Sequence, residues 1–284
     1  MGEMVGLVGV GKMGSALLTR LLLAGHTVRA YDVFPAAMAA ATESGAQAAT
    51  SPADAVKGCR YAHLFPATDQ QMEDVTTGPN GVFSTASPGT TIFLHSTILP
   101  TTTQRIAQAA PQGVTVLDAP VTSMPRLLKE GDGIFLVGGA TEDVERVRPH
   151  LSKLVRTFYH FGPLGSGNKA KIARNLGNVV ERVMMAETAR LVEAAGLDIS
   201  LWLAMVKDAS GQRGAWSNWE RALVVENNHA GPKRAAGLVT KDIHHAMALA
   251  KSCGTDLPVT QATAKVAGEW AAIWHNVHPE IKAS

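Results

Sequence analysis

Apolar and polar positions along the chain fall into two regimes. In the first, short apolar runs bounded by glycine alternate with segments of helical spacing. Residues 4–10, MVGLVGV, are nearly all apolar over a strand's length, the pattern of a strand buried on both faces of a parallel sheet. SALLTRLLLAG (15–25) has helical spacing and stops at Gly25, and HTVRAYD (26–32) is again strand-like. PAAMAAATESG (35–45) predicts a helix, with Pro35 suited to the first turn. Further strands are expected in 58–67, 89–97, 113–121 and 132–139, with helical segments such as 101–110 between several of them. Strands alternating with helices predict an α/β fold with a mostly parallel sheet.

The second regime begins near residue 165. From 168 to 196 helical spacing continues without a break until Gly196, long for a globular helix. ISLWLAMVKDAS, TKDIHHAMALAKSCG and VTQATAKVAGEWAAIWHNV also read as helices, and strand alternation does not return. Two domains are therefore expected, an α/β domain over 1–164 and an all-helical domain over 165–284. A long helix of about 168–195 joins them.

Composition narrows the function classes. The 284 residues are 46% hydrophobic and 18% charged with a formal net charge of +2, a globular balance. No basic run or basic–aromatic interleaving points to nucleic acid, and no apolar stretch reaches the length of a membrane span. Cys59 and Cys253 are far apart and in no metal-type spacing, so no metal is expected. Two isolated cysteines and an N-terminus without a basic leader pattern suggest a cytoplasmic setting.

The candidate chemistry begins at Gly9-Val10-Gly11-Lys12-Met13-Gly14, which follows a predicted strand and opens a predicted helix. In that context the glycines have separate tasks. Gly9 permits a tight turn, Gly11 lets a pyrophosphate approach the backbone, and Gly14 allows helix to pack on strand. The phosphates then meet the N–H groups at the helix start. Asp32 ends the second strand, 18 residues after Gly14, where a carboxylate accepts from the adenosine ribose and repels a 2′-phosphate. This predicts a Rossmann-type domain that takes NAD in preference to NADP. A second glycine cluster, Gly162, Gly165 and Gly167, runs into the long helix, which carries Lys171 and, one turn on, Asn175. From the residues alone, Lys171 reads equally as one of several solvated cations beside Lys169 and Arg174.

Six stretches in order resemble the β-hydroxyacid dehydrogenase family, which includes 3-hydroxyisobutyrate dehydrogenase and tartronate semialdehyde reductase. They are GLVGVGKMGSALLTRLLLAGHTVRAYD, LHSTILP, DAPVTSMP, FLVGG, GPLGSGNKAKIARN and GLVTKDI, and the resemblance covers nearly the whole chain. It implies a Rossmann-type domain, an interdomain helix and an all-α C-terminal domain like that of 6-phosphogluconate dehydrogenase. It also implies hydride transfer between a nicotinamide cofactor and a small β-hydroxy acid or semialdehyde. By resemblance Lys171 is the catalytic acid/base, and Asn175 hydrogen-bonds the lysine or the substrate oxygen. Chemistry agrees: oxidation of an alcohol to a carbonyl removes a hydride and releases the hydroxyl proton. A lysine takes it when burial brings its pKa from about 10.4 towards roughly 7–8. The resemblance places Ser96, Thr97, Phe65, Pro66 and Lys241 at the cofactor.

Two departures bear on substrate. Where the family usually reads DAPVSGG, this chain has Thr122-Ser123-Met124-Pro125, which keeps a hydroxyl but replaces two glycines. Arg234 stands where the family usually has phenylalanine near the substrate. It reads equally as a clamp for an extra anion or as a surface residue. A substrate other than simple 3-hydroxyisobutyrate is therefore expected. An imine reductase-like enzyme and a non-catalytic cofactor-binding module are the alternatives, and Lys171 argues against both. Apolar stretches LWLAMV and EWAAIW in the helical half suggest a homodimer or homotetramer.

Overall fold

The structure is a computed structural model that describes residues 2–210 and 240–266. The chain divides into two compact units, Met1–Lys171 and Ile172–Ser284.

Six parallel strands form the main sheet of the first unit. They are β1 (Met4–Val8), β2 (Thr27–Tyr31), β3 (Gln47–Ala48), β4 (Tyr61–Leu64), β5 (Thr91–Leu94) and β6 (Thr115–Asp118), in the order β3-β2-β1-β4-β5-β6. Between them run α1 (Lys12–Leu23), α2 (Pro35–Glu43), α3 (Pro52–Val56), α4 (Asp69–Thr77) and α5 (Pro100–Gln108). The order reverses at β1, where chain crossovers pass to opposite sides, the switch point at which open α/β sheets bind ligands. After β6, α6 (Pro125–Lys129), β7 (Ile134–Val137), α7 (Thr141–Leu154) and β8 (Thr157–His160) complete the unit. Strands β7 and β8 form a parallel pair, and antiparallel bridges Asp118–Gly138 and Val121–Phe135 tie it to the chain leaving β6. The main sheet is thus wholly parallel. Strand β3, helix α3, helix α6 and strand β8 are short elements that the apolar pattern did not single out.

Apolar side chains cover both faces of this sheet. Val5, Leu7, Leu17, Leu21, Val28 and Phe93 belong to one buried cluster, and Val56, Leu64, Met72, Ile92, Leu94 and Ile106 to the other. Alternation along β5 sends Phe93 to the first and Ile92 and Leu94 to the second, so this strand is buried on both sides. At Gly6 an added Cβ would lie 2.8 Å from the Ala55 carbonyl oxygen, so its absence lets α3 lie against β1.

One buried layer is polar. His63 in β4, His95 just after β5 and His150 in α7 are joined edge to edge. His95 Nε2 lies 2.8 Å from His63 Nδ1, and His63 Nε2 lies 3.0 Å from His150 Nε2. Tyr61 stacks on His150 at 3.9 Å and Phe93 on His63 at 4.8 Å. Burial without an acidic partner disfavours the charged rings. It holds His63 well below the usual histidine range, His95 at about 4 and His150 at about 3.

Every described element of the second unit is a helix. Helix α8 (Ser166–Ala194) runs unbroken across the division between the units. It is followed by α9 (Ile199–Ser210), α10 (240–252) and α11 (Pro258–Val266). The stretch EWAAIW lies outside the described residues. No described helix is long and apolar enough to cross a membrane.

The histidine layer makes the fold acid-labile. Folded pKa values below the unfolded value of about 6.5 mean that the unfolded chain binds more protons at pH 4–6. Stability is therefore fully present well above pH 6.5 and lost as pH falls through that value towards the folded ones. The limiting slope is about 1.4 kcal/mol per pH unit per histidine, or roughly 4 for the three together. Urea unfolding at pH 7.5, 6.5, 5.5 and 5.0 should show this steepening; a flat free energy from 7 to 5 would contradict it.

Candidate functional site

Loops at the C-terminal ends of β1, β2, β4, β5 and β6, with the start of α8, carry the site residues of the first unit. Gly9 leaves β1 at φ 88°, a conformation open to glycine, and its N–H donates to the Tyr31 carbonyl. Helix α1 then starts with Gly11 as its N-cap, with no capping side chain and no acid in the first turn. A Cβ on Gly14 would lie 1.9 Å from the Gly9 carbonyl oxygen, whereas one on Gly11 would meet nothing within 4 Å. The packing side of the loop is therefore closed and its outer side open, the shape a pyrophosphate needs. Val10 is buried, Met13 half-buried and Lys12 exposed.

Asp32 is half-buried at the end of β2 and locked to this loop. Its Oδ2 accepts from the Val10 N–H at 2.7 Å and its Oδ1 from the Phe34 N–H at 3.0 Å. A carboxylate has about four acceptor positions, so these two bonds orient it and leave capacity for ribose hydroxyls. The residues present fit an adenine dinucleotide.

The next loops are tied to one another. Phe65 donates its N–H to Val8 and stacks on His95 at 4.6 Å, and the Ser96 hydroxyl donates to the Pro66 carbonyl. Asp69 Oδ1 accepts from the Leu99 N–H at 2.8 Å and the Thr102 hydroxyl at 2.7 Å. Thr97 is half-buried between these anchors.

Asp118, fully buried at the end of β6, gathers the rest. Its Oδ1 accepts from the Gly165 N–H and its Oδ2 from the Asn168 N–H, each at 2.7 Å. Helix α8 is thus capped by a carboxylate 47 residues upstream of Gly165. Burial pushes the Asp118 carboxyl up, and the N–H groups of Gly165, Asn168 and Gly167 oppose that. The glycine loop follows from this contact. Gly165 has φ 92°, and a Cβ on Gly167 would lie 2.1 Å from the Leu136 carbonyl oxygen. Asn168, also fully buried, accepts from the Ile98 N–H at 3.2 Å and donates to the Thr103 hydroxyl at 3.3 Å. Asp118 and Asn168 together join the loops after β5 and β6 to the start of the helix that carries Lys171.

The loop that departs from the family pattern is regular. The Thr122 N–H donates to the Ile134 carbonyl, the Ser123 hydroxyl to the Met124 carbonyl, and Met124 caps α6 with extended backbone. No described non-glycine residue has positive φ, so Ser123 and Met124 need no glycine-like conformation. Lys171 is half-buried on α8. Asn175 donates from Nδ2 to Asp242 Oδ2 at 3.1 Å, and Lys241, on α10, is half-buried. A carboxylate accepts only, so this bond turns the Asn175 amide oxygen away from Asp242. Arg234 lies outside the described residues. Among the described residues no His, Cys, Asp and Glu group could hold a metal.

Residues 4–162 match the family described as the NAD binding domain of 6-phosphogluconate dehydrogenase. Residues 165–275 match the one described as NAD-binding of NADP-dependent 3-hydroxyisobutyrate dehydrogenase. The chain belongs to the β-hydroxyacid dehydrogenase family. An uncharacterised oxidoreductase of Mycobacterium tuberculosis is 33% identical over 264 residues, covering 90% of this chain and 89% of the relative. An NAD-dependent L-serine dehydrogenase of Pseudomonas aeruginosa is 30% identical, covering 90% of this chain and 88% of that protein. Among solved structures, a 3-hydroxyisobutyrate dehydrogenase of Mycobacterium tuberculosis with L-serine superposes with TM-score 0.80 at 25% identity. That match covers 98% of this chain and 100% of the other. The protein is accordingly a nicotinamide-dependent oxidoreductase acting on CH–OH groups.

Sequence reasoning missed Asp69, Asn168 and Asp242, and quoted Asp118 only as part of a motif. The available signal for Asp118 was an acid ending an apolar strand in a chain that later starts a helix on glycines without its own cap. Asp118→Asn replaces an acceptor with an amide whose NH₂ must face a backbone N–H. The expected loss is about 2–3 kcal/mol of unfolding free energy, read as a lowered urea midpoint at unchanged slope. A loss under roughly 0.5 kcal/mol would show that the buried contact is incidental.

Proposed function

We propose that the chain is an NAD-dependent dehydrogenase of a small β-hydroxy acid or its semialdehyde, with Lys171 as general acid/base. The observation that carries this is the anchoring of α8. Asp118 and Asn168 hold the helix start, with Lys171 on its first turns, against the loops that follow β5 and β6. A bound nicotinamide supplies the hydride acceptor or donor. Gly9–Gly14 and the α1 N-terminus would hold the pyrophosphate, and Phe65, Pro66, Ser96 and Thr97 would border the nicotinamide. Lys171 Nζ takes the hydroxyl proton in oxidation and returns it in reduction. The Asp242 contact leaves the Asn175 amide oxygen available to accept a hydrogen bond from a lysine amine.

Asp32 supports NAD over NADP, since a locked carboxylate accepts from hydroxyls and repels a phosphate. Thr122, Ser123 and Met124 would line the substrate end, with Arg234 meeting an anionic group if it faces that end. The named activities of relatives, including L-serine and 3-hydroxyisobutyrate oxidation, make small hydroxy acids the first compounds to try. The α/β domain, 1–164, serves the cofactor, and the helical domain, 165–284, serves substrate and a homodimer or homotetramer. Leu201 (71% exposed) and Met205 (50%) offer that assembly apolar surface.

Lys171→Ala should lower turnover by about 10²–10⁴-fold while NADH affinity, read by fluorescence, stays within about threefold. Activity near wild type with an unchanged pH profile would remove Lys171 from this role. Asp32→Ser combined with Val33→Arg should shift the kcat/KM ratio towards NADP(H) by removing repulsion and supplying a phosphate partner. A wild type that already prefers NADP(H) would refute the reading of Asp32.

A further inference from the structure

The buried histidines take no part in the chemistry above, yet one end of their chain lies at the site. His95 Nδ1 is 2.7 Å from the Ala119 carbonyl oxygen, and its ring packs on Phe65 at 4.6 Å and on Phe135 at 4.8 Å. Phe65 precedes Pro66 in the loop assigned to the nicotinamide. Ala119 leads into Thr122–Met124, assigned to the substrate. One ring therefore touches both loops. It also lies beside Ser96, which holds the Pro66 carbonyl.

The hydrogen-bond pattern determines every tautomer. A carbonyl only accepts, so His95 carries its proton on Nδ1. In a neutral ring Nε2 is then a lone pair, and His63 must donate to it from Nδ1. His63 Nε2 accepts in turn, and His150 donates from its own Nε2. A half turn of either ring of the His63–His95 pair would put a carbon where each bonding nitrogen stands and break both of that ring's hydrogen bonds. The chain also ends on an amide oxygen that cannot take up a proton, so it does not relay protons into the site. What remains is orientation.

We propose that His95 is a positioning residue. Its Nδ1–H sets the loop after β6 through Ala119, its ring sets the loop after β4 through Phe65, and His63 and His150 lock its orientation. The assignment of the two loops to substrate and nicotinamide rests on the dehydrogenase reading; the tautomers do not.

Two substitutions divide the two contacts. His95→Asn places an amide N–H near Ala119 but removes the ring under Phe65. NADH affinity should weaken about fivefold, with kcat on L-serine or 3-hydroxyisobutyrate within about threefold. His95→Phe keeps the stacking but leaves the Ala119 carbonyl without a donor. NADH affinity should hold, and kcat should fall about tenfold as the substrate loop shifts. A role confined to stability would lower the Tm of both variants without that opposite split. Both variants within twofold of wild type in NADH affinity and kcat, or losing both equally, would overturn the proposal.

Nitrogen-15 ring shifts of the wild-type chain supply a test that needs no variant to fold. His95 and His63 protonated at Nδ1 and His150 at Nε2 are expected at pH 7.5. A charged His95, or one protonated at Nε2, would overturn the proposal. Failure of the dehydrogenase reading would appear separately, as a wild type that binds NADH and turns over no hydroxy acid.

Discussion

A buried carboxylate holds the functional end of the first unit together. Asp118 lies at the tip of β6 and receives backbone N–H groups from the start of α8. A buried charge is costly unless it is hydrogen-bonded, and donors at a helix start meet it with both hydrogen bonds and dipole. Because those donors are backbone atoms, the contact fixes the helix itself and with it the position of Lys171. The glycines at 165 and 167 are consequences: side chains there would strain the turn or strike the Leu136 carbonyl. An element that looks flexible in the sequence is therefore held closely by its surroundings.

The same logic recurs nearby. Asn168 satisfies the Ile98 N–H, Asp69 the Leu99 N–H, Ser96 the Pro66 carbonyl and His95 the Ala119 carbonyl. Loops at the end of a parallel sheet have no ladder partners, so buried backbone groups there need side chains. This chain meets the need with short polar side chains and neutral histidines. Precise placement follows, because each such bond has one direction and one length. The cost is acid sensitivity, since neutral buried histidines oppose protonation.

Much of this architecture was legible in the pattern of the chain. Apolar runs bounded by glycine marked β1, β4, β5, β6 and β7, and uninterrupted helical spacing marked α8. Local signals suffice there because a strand buried on both faces must be apolar throughout. The glycine loop at 9–14 was legible because its function is a backbone property that only glycine provides. Short elements such as β3 and α6 were not, since two to five residues carry no periodicity. The histidine layer was invisible for a different reason. His63, His95 and His150 are spread over 88 residues, and only the packing of β4, β5 and α7 brings them together. Asp118 and Asp242 escaped notice in the same way, because their partners lie far along the chain.

The central claim is that the Asp118 contact, rather than the helix's own propensity, holds the start of α8 in place. Amide hydrogen exchange at Gly165 and Asn168 tests it most directly. Both N–H groups should exchange only as fast as the first unit unfolds globally, with the same dependence on urea as the core amides of β5. Exchange at the rate of exposed loop amides would contradict the account.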